Sequence, residues 1–218
     1  MSKKWVKEEL HHGFMSRHAD ACLTWIVHHR DHMLGSAIAV AAAGLLVVYL
    51  AMRHNRIAEA AEQKFFVAQQ TAAGGGVDAA IKQLDSLATE YPRADAASYG
   101  SLLKADLLFE TGRFKEAADT FSAVEKSGPA RLTPFAMSAL ASSKQAMGDY
   151  MGSVAEANRF LDRYSDHFLA QQVYTTLAVS QELAGRKADA EATYKKLEGL
   201  FPGSYGAETA KAKLTAKK

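Results

Sequence analysis

Residues Gly112–Ala117 read GRFKEA, and the same turn returns as GDYMGS at Gly148–Ser153 and GRKADA at Gly185–Ala190, with GGGVDAA at 74–80 ahead of them. Aligned on Gly75, Gly112, Gly148 and Gly185, the copies repeat at intervals of 37, 36 and 37 residues. Seven positions before each glycine stand Ala68, Ala105, Ala141 and Ala178, and five after stand Ala80, Ala117, Ser153 and Ala190. Nine after come Leu84, Phe121, Ala157 and Tyr194; twelve after come Leu87, Val124, Phe160 and Leu197. Proline lies seventeen after in three copies, as Pro92, Pro129 and Pro202, and Ser165 takes its place in the third. A small residue in one helix lets a second helix cross closely. Glycine supplies the turn between them, and the bulky residues plug the stack against the next copy. Proline, which lacks an amide donor, then starts the exit turn.

Between these columns, residues 53–218 are rich in Ala, Leu, Lys, Glu and Gln, and their apolar residues recur at three and four. The two-residue alternation of a strand is absent. The expected fold is therefore all-α: a solenoid of about four helix pairs over 61–94, 98–131, 134–167 and 171–204, closed by a polar C-terminal capping helix at 205–217. The pattern resembles the tetratricopeptide repeat, whose turn is closely matched by GRFKEA. Its period of 36 to 37 residues exceeds that family's usual value of about 34, and Lys187 stands where an aromatic is expected.

That resemblance implies a protein-binding groove lined by the first helix of each pair. It would place Phe65, Tyr99, Leu102, Asp106, Phe109 and Phe135 on the concave face. An aromatic, weakly charged groove suits apolar peptide segments, since burying each large side chain contributes about 1.5–3 kcal/mol. The lysine and asparagine clamp with which such repeats hold a C-terminal carboxylate is missing, because Phe65, Gln69, Leu102 and Asp106 occupy its places. Tails of cytosolic heat-shock chaperones are thus not the expected ligands.

Ahead of the repeats, Met33–Met52 (MLGSAIAVAAAGLLVVYLAM) runs for 20 residues without a charge. As a helix rising about 1.5 Å per residue it matches the roughly 30 Å core of a bilayer. A single transmembrane helix is expected at 33–52, between a tail at 1–32 and a repeat domain at 53–218. Arg30, Asp31 and His32 bound it on one side and Arg53, His54 and Arg56 on the other, with Trp25 and Tyr49 placed for the two interfaces. Neither proline nor glycine occurs between Ala51 and Thr71, so span and first repeat are expected to share one helix. Gly35, Ala39 and Ala43 recur every fourth residue, as small residues do where helices pack in lipid.

The tail carries Lys3, Lys4, Lys7, Arg17 and Arg30, and Trp25, Ile26 and Val27 would form the apolar side of an interfacial amphipathic helix. It also holds six of the eight histidines. His18 with Cys22, and His28 with His32, have a four-residue spacing that a metal could use, but imidazoles among head groups are the plainer reading, and no metal or cofactor is assigned. A basic tail favours a cytoplasmic N-terminus. The repeat domain, with 21 basic and 20 acidic residues, is large enough to be translocated regardless of charge.

A net charge of +2 argues against nucleic acid as a partner, and the lone Cys22 excludes a disulfide framework within the chain. No phosphate-binding glycine loop, HExxH or nucleophile elbow is present, so no enzyme is expected. In layout, a short tail, one span and a repeat array directly after it, the chain resembles the YfgM-like ancillary subunits of the bacterial Sec translocon. That resemblance implies an inner-membrane protein with its repeats in the periplasm, bound to the translocon and to periplasmic chaperones or unfolded clients. The repeats are also similar to those of outer-membrane assembly lipoproteins of the BamD type, which would carry a lipobox cysteine directly after the apolar stretch; here Cys22 precedes it. A structural scaffold subunit, held in a larger membrane complex through its span, is the alternative function.

Overall fold

A computed structural model describes the backbone of residues 30–215 and the side chains from Gly35 onward, Ala37 excepted. The interfacial helix expected within 1–32, with Cys22, Trp25 and the tail histidines before His32, lies outside the described residues, whereas residues 30–32 begin the first described helix. The chain divides into two compact units, Met1–Arg56 and Ile57–Lys218. Among the described residues every regular element is helical.

Helix α1 (Arg30–Ala73) is 44 residues long, as the unbroken stretch after the span led one to expect, and the boundary between the units falls within it. In the first unit its apolar side chains face outward: Ile38, Val40, Leu45, Leu46, Val47, Val48, Tyr49 and Leu50 are exposed by 50 to 73%. A helix apolar all round and covered by nothing is an unstable proposition in water. By length and composition it can cross a membrane.

In the second unit, the part of α1 from Ile57 to Ala73 pairs with α2 (Val77–Glu90). Three more pairs follow, α3 (Asp95–Glu110) with α4 (Phe114–Ser127), α5 (Thr133–Ala146) with α6 (Tyr150–Tyr164), and α7 (Ala170–Leu183) with α8 (Lys187–Leu200). A 3-10 turn at Ala130–Leu132 leads into α5, and α9 (Tyr205–Thr215) closes the array. From α2 onward each helix packs on its neighbour in sequence, α5 also meets α7, as α7 meets α9, and Ala61 and Ala68 of α1 share a cluster with Ala80, Ile81 and Leu84 of α2. This is the expected solenoid.

The turn inside each pair is one structure repeated four times. Gly112 has φ +78°, its amide donates to the Phe109 carbonyl at 3.0 Å, and the next amide, of Arg113, donates to Leu108 at 2.8 Å. Gly75, Gly148 and Gly185 have φ of +85°, +83° and +78°, with the matching second bonds running from Gly76 to Thr71, Asp149 to Lys144 and Arg186 to Gln181. These bonds satisfy carbonyls that the helix end leaves open, and they need a left-handed residue at one place. Gly203, at φ +78°, adds a fifth such residue at the turn into α9, which the column search did not single out.

Every residue of the two small columns, Ala68, Ala105, Ala141, Ala178, Ala80, Ala117, Ser153 and Ala190, is fully buried. The two bulky columns are buried as well, with Phe121, Phe160 and Tyr194 among the largest enclosed side chains. The interior they fill is segmented. One cluster extends from Ala61 to Leu140, a small one joins Val124, Leu132 and Ala136, a third runs from Met137 to Leu177, and a fourth from Ala178 to Ala210.

Two substitutions separate backbone from packing. A Cβ at Gly112 meets nothing within 4 Å, so Gly112→Ala is expected to cost only the left-handed conformation, about 1–2 kcal/mol. Phe160→Ala opens the third cluster and is expected to cost about 3–5 kcal/mol. Urea unfolding of the full chain followed by far-UV circular dichroism checks both, and equal losses would contradict this account.

Candidate protein-binding site

Along α3, Tyr99, Leu102, Asp106 and Phe109 stand three, four and three residues apart, which sets them on one helix face. Tyr99 and Asp106 are exposed. Leu102 and Phe109 are half-buried against the first apolar cluster, as is Phe65 from α1. Phe65 reaches the place where Gly100 packs; a Cβ on Gly100 would lie 3.0 Å from Leu87 and 3.8 Å from Phe65. Leu102 also packs on the small cluster of Val124, Leu132 and Ala136 and so ties the second repeat to the third. Phe109 meets Phe114 edge-on at 5.2 Å across the turn. The groove residues of the first two repeats thus present partial apolar faces whose other sides are fixed in the core.

Phe135 is placed apart from that set. It stands edge-on to His167 at 5.9 Å and to Phe168 at 5.8 Å, in a group continued by Tyr164 and Phe160. The His167 Nδ1 accepts the Leu169 amide at 3.2 Å, which orients the ring. Tyr99 has a counterpart arrangement. Arg131 lies over its ring at 5.4 Å, donates from Nε to its hydroxyl at 2.9 Å, and pairs with Asp95 at 2.5 Å. Tyr99 and Phe135 both lie thirteen residues before their turn glycines, and Arg131 and His167 both lie nineteen after. One inter-repeat contact is therefore made twice with different chemistry. Reading the glycine register out to those two columns would have found it.

Asp106 is the unusual titrating group on this face. Although Asp106 is exposed as a residue, partial desolvation of its carboxyl raises it to about 6, and the Glu110 charge one turn along adds to the shift. In the last two repeats several polar groups inside the array are bonded to one another. The Ser153 and Ser180 hydroxyls lie 2.8 Å apart, Gln145 donates to Ser180 at 2.8 Å, and Thr193 donates to Gln181 at 2.8 Å. Burial pushes the Tyr194 phenol up, and its bond to Glu182 at 3.0 Å adds to the rise. Between α4, α5 and α6 the charges form a chain. Lys144 pairs with Glu156 at 2.8 Å, Glu156 with Arg159, and Arg159 with Glu125 at 2.5 Å. On α1, Gly35, Ala39 and Ala43 are exposed, and a Cβ at Gly35 meets nothing within 4 Å.

A profile of the tetratricopeptide repeat family matches residues 68–131 and 138–205. The chain belongs to the tetratricopeptide repeat family. Among solved structures, a tetratricopeptide repeat protein of Parabacteroides merdae is similar at 14% identity and a TM-score of 0.61, over 71% of this chain and 58% of that one. The chain thus spans a little over half of that relative's length. YrrB, described as a tetratricopeptide repeat protein with an unusual peptide-binding site, is similar at 14% identity and a TM-score of 0.52, over 68% of this chain and 75% of that one. Among curated proteins no relative matches. Tetratricopeptide arrays are protein–protein interaction adaptors, generally without catalysis, and the family gives this chain that coarse function.

The raised carboxyl of Asp106 makes stability depend on pH. Between 3.8 and about 6 the folded chain holds a proton that the unfolded chain has released, so stability falls as pH rises through that window. Asp106→Asn is expected to flatten the slope and to stabilise the chain at neutral pH by a few tenths to about 1 kcal/mol, a range discounted for solvent screening of an exposed side chain. Urea midpoints on either side of the window, for both proteins, measure it; an unchanged slope would show that Asp106 titrates normally.

Proposed function

We propose that the protein is a membrane-tethered adaptor of the bacterial cell envelope, anchored by the span at 33–52 with the tail cytoplasmic and residues 53–218 in the periplasm. There it would link the Sec translocon to periplasmic chaperones or unfolded clients during secretion. The observation that carries the tether is the uncovered apolar surface from Ile38 to Met52, which needs a non-aqueous environment and precedes a family of interaction modules. The order of parts, as in YfgM-like translocon subunits, supports the assignment to the translocon.

Client segments would bind along Phe65, Tyr99, Leu102, Asp106, Phe109 and Phe135. Half-buried rings and leucines offer apolar contact without having to be ordered first, because the core already holds one side of each. Tyr99 is held by Arg131 for the same purpose. YrrB, described by its peptide-binding site, supports the peptide reading. A scaffold role through Gly35, Ala39 and Ala43 is the competing proposal, favoured by the open space at Gly35 that another helix could fill.

Alkaline phosphatase fused after Lys218 is expected to be active, and a reporter that fluoresces only in the cytoplasm is expected to be dark at that place; the reverse pattern would end the translocon reading. Site-directed photo-crosslinking from Tyr99 is then expected to capture an apolar model client in the periplasm, with Leu102→Asp reducing the yield several-fold. Capture that survives Leu102→Asp but is lost when the span is replaced would favour the scaffold.

A further inference from the structure

In the later repeats, the face between the two helices of a pair is roofed by the second helix of the preceding repeat. Eight residues before the turn glycine, Leu140 and Leu177 keep 3% and 4% of their surface, and Lys104 reaches back to Asp85 of the helix before it at 2.5 Å. At the same register in the first repeat, Val67 is 51% exposed. Twelve before the glycine, Gly100, Ala136 and Val173 are buried, whereas Gln63 is exposed. The first pair, α1 from Ile57 with α2, therefore has the groove that receives a helix in each later repeat, but no helix of this unit fills it.

The groove is an opening of about 560 Å³ between Ala60, Lys64 and Val67 of α1 and Lys82, Gln83 and Ser86 of α2. One of about 570 Å³ persists at this register in the third repeat with α4 seated beside it, so the exposure of Val67 and Gln63, and not the volume, marks the absent helix. The lining of the first-repeat opening includes an unsatisfied polar atom, since the Gln83 Oε1 is buried and accepts no hydrogen bond. Of the three residues at the same register in later repeats, Thr120 donates to the Glu116 carbonyl, while Glu156 and Thr193 are bonded to Lys144 and Gln181 of their own pairs. Thr71, which stands where those partners stand, donates instead to the Val67 carbonyl. A buried acceptor left so is costly and is relieved by a donor arriving from outside. The lining carries two lysines and no carboxylate among the described residues, and Lys64 is steadied by Glu90 at 2.6 Å and by the Tyr91 ring at 5.6 Å.

We propose that this edge of the array docks an amphipathic helix of a partner protein: its apolar face covers Ala60 and Val67, its flanking carboxylates meet Lys64 and Lys82, and one hydroxyl or amide donor reaches the Gln83 Oε1. The shape follows from the helices seated at this register in the later repeats, and the sign of the charge follows chiefly from Lys82, because Lys64 is already paired with Glu90. A second copy offering this same edge would bring lysine to lysine, which disfavours a symmetric dimer. Phe65 does not line this opening, and the rest of the client-binding residues stand on α3 and α5, so a client captured there is lost with Leu102 and not with Val67 or Lys82.

The test uses the full chain in detergent micelles and a labelled synthetic helix with leucines at i, i+3, i+4 and i+7, a serine within that stripe, and glutamates on both flanks. A control peptide carries lysines in place of the glutamates. Fluorescence anisotropy is expected to show saturable binding of the glutamate peptide alone. Val67→Glu is expected to weaken it by about tenfold or more and Lys82→Glu by several-fold, whereas Lys211→Glu, an equal charge change at an exposed place on α9, leaves it unchanged. Both variants replace exposed residues, and unchanged thermal melts would show that they fold. Failure of the glutamate peptide to bind, equal binding of the two, or insensitivity to Val67→Glu and Lys82→Glu overturns the proposal. So does self-association of the chain, seen by sedimentation and abolished by Val67→Glu, which would assign the edge to a second copy.

Discussion

How closely two helices can cross governs this molecule. Each pair turns through a left-handed glycine and then needs a side chain no larger than alanine or serine on both partners, seven residues before the turn and five after. With both small columns fully buried, the second helix lies against the first, and only then do Leu84, Phe121, Ala157 and Tyr194 reach the next repeat. The aromatic groups, ionic chains and grooves are all set by that spacing. A larger residue at either column displaces a whole helix and not merely a side chain, because close-packed interiors transmit strain.

The constraint also explains what was legible beforehand. A position that accepts only glycine or alanine leaves the same letter in each copy, so four turns and eight small residues sufficed to set the repeat and its limits. The contacts from Tyr99 to Arg131 and from Phe135 to His167 occupy equivalent places but share no residue type, since a cation over a ring and an edge-on pair of rings solve the same steric problem. Their columns therefore carry no common letter. The chain from Lys144 through Glu156 and Arg159 to Glu125 was hidden for a related reason, because its members lie on three helices and only the folded stack brings them together. The groove residues were legible as a face of α3, whereas the division of each into a core side and an open side depends on neighbours from other repeats.

Most of the candidate site combines fixed and accessible surface in one side chain. Leu102 and Phe109 have one side in the core, and Arg131 restrains Tyr99 from the following repeat. An incoming segment would meet rings that have already lost most of their rotational freedom, which lowers the ordering cost of binding. Asp106 adds a charge whose presence depends on acidity and sits between those apolar faces.

The segmented interior has a consequence for the way the array comes apart. Because apolar contact is gathered into separate clusters, with the last confined to Ala178, Ala190, Tyr194, Leu197 and Ala210, the final pair and its cap can open as a unit while the cluster from Ala61 to Leu140 remains closed. Amide protection would then be graded along the chain instead of being lost at a single threshold. A pull applied at the C-terminus would be absorbed in steps, with α9 and α8 yielding before the helices that carry the groove.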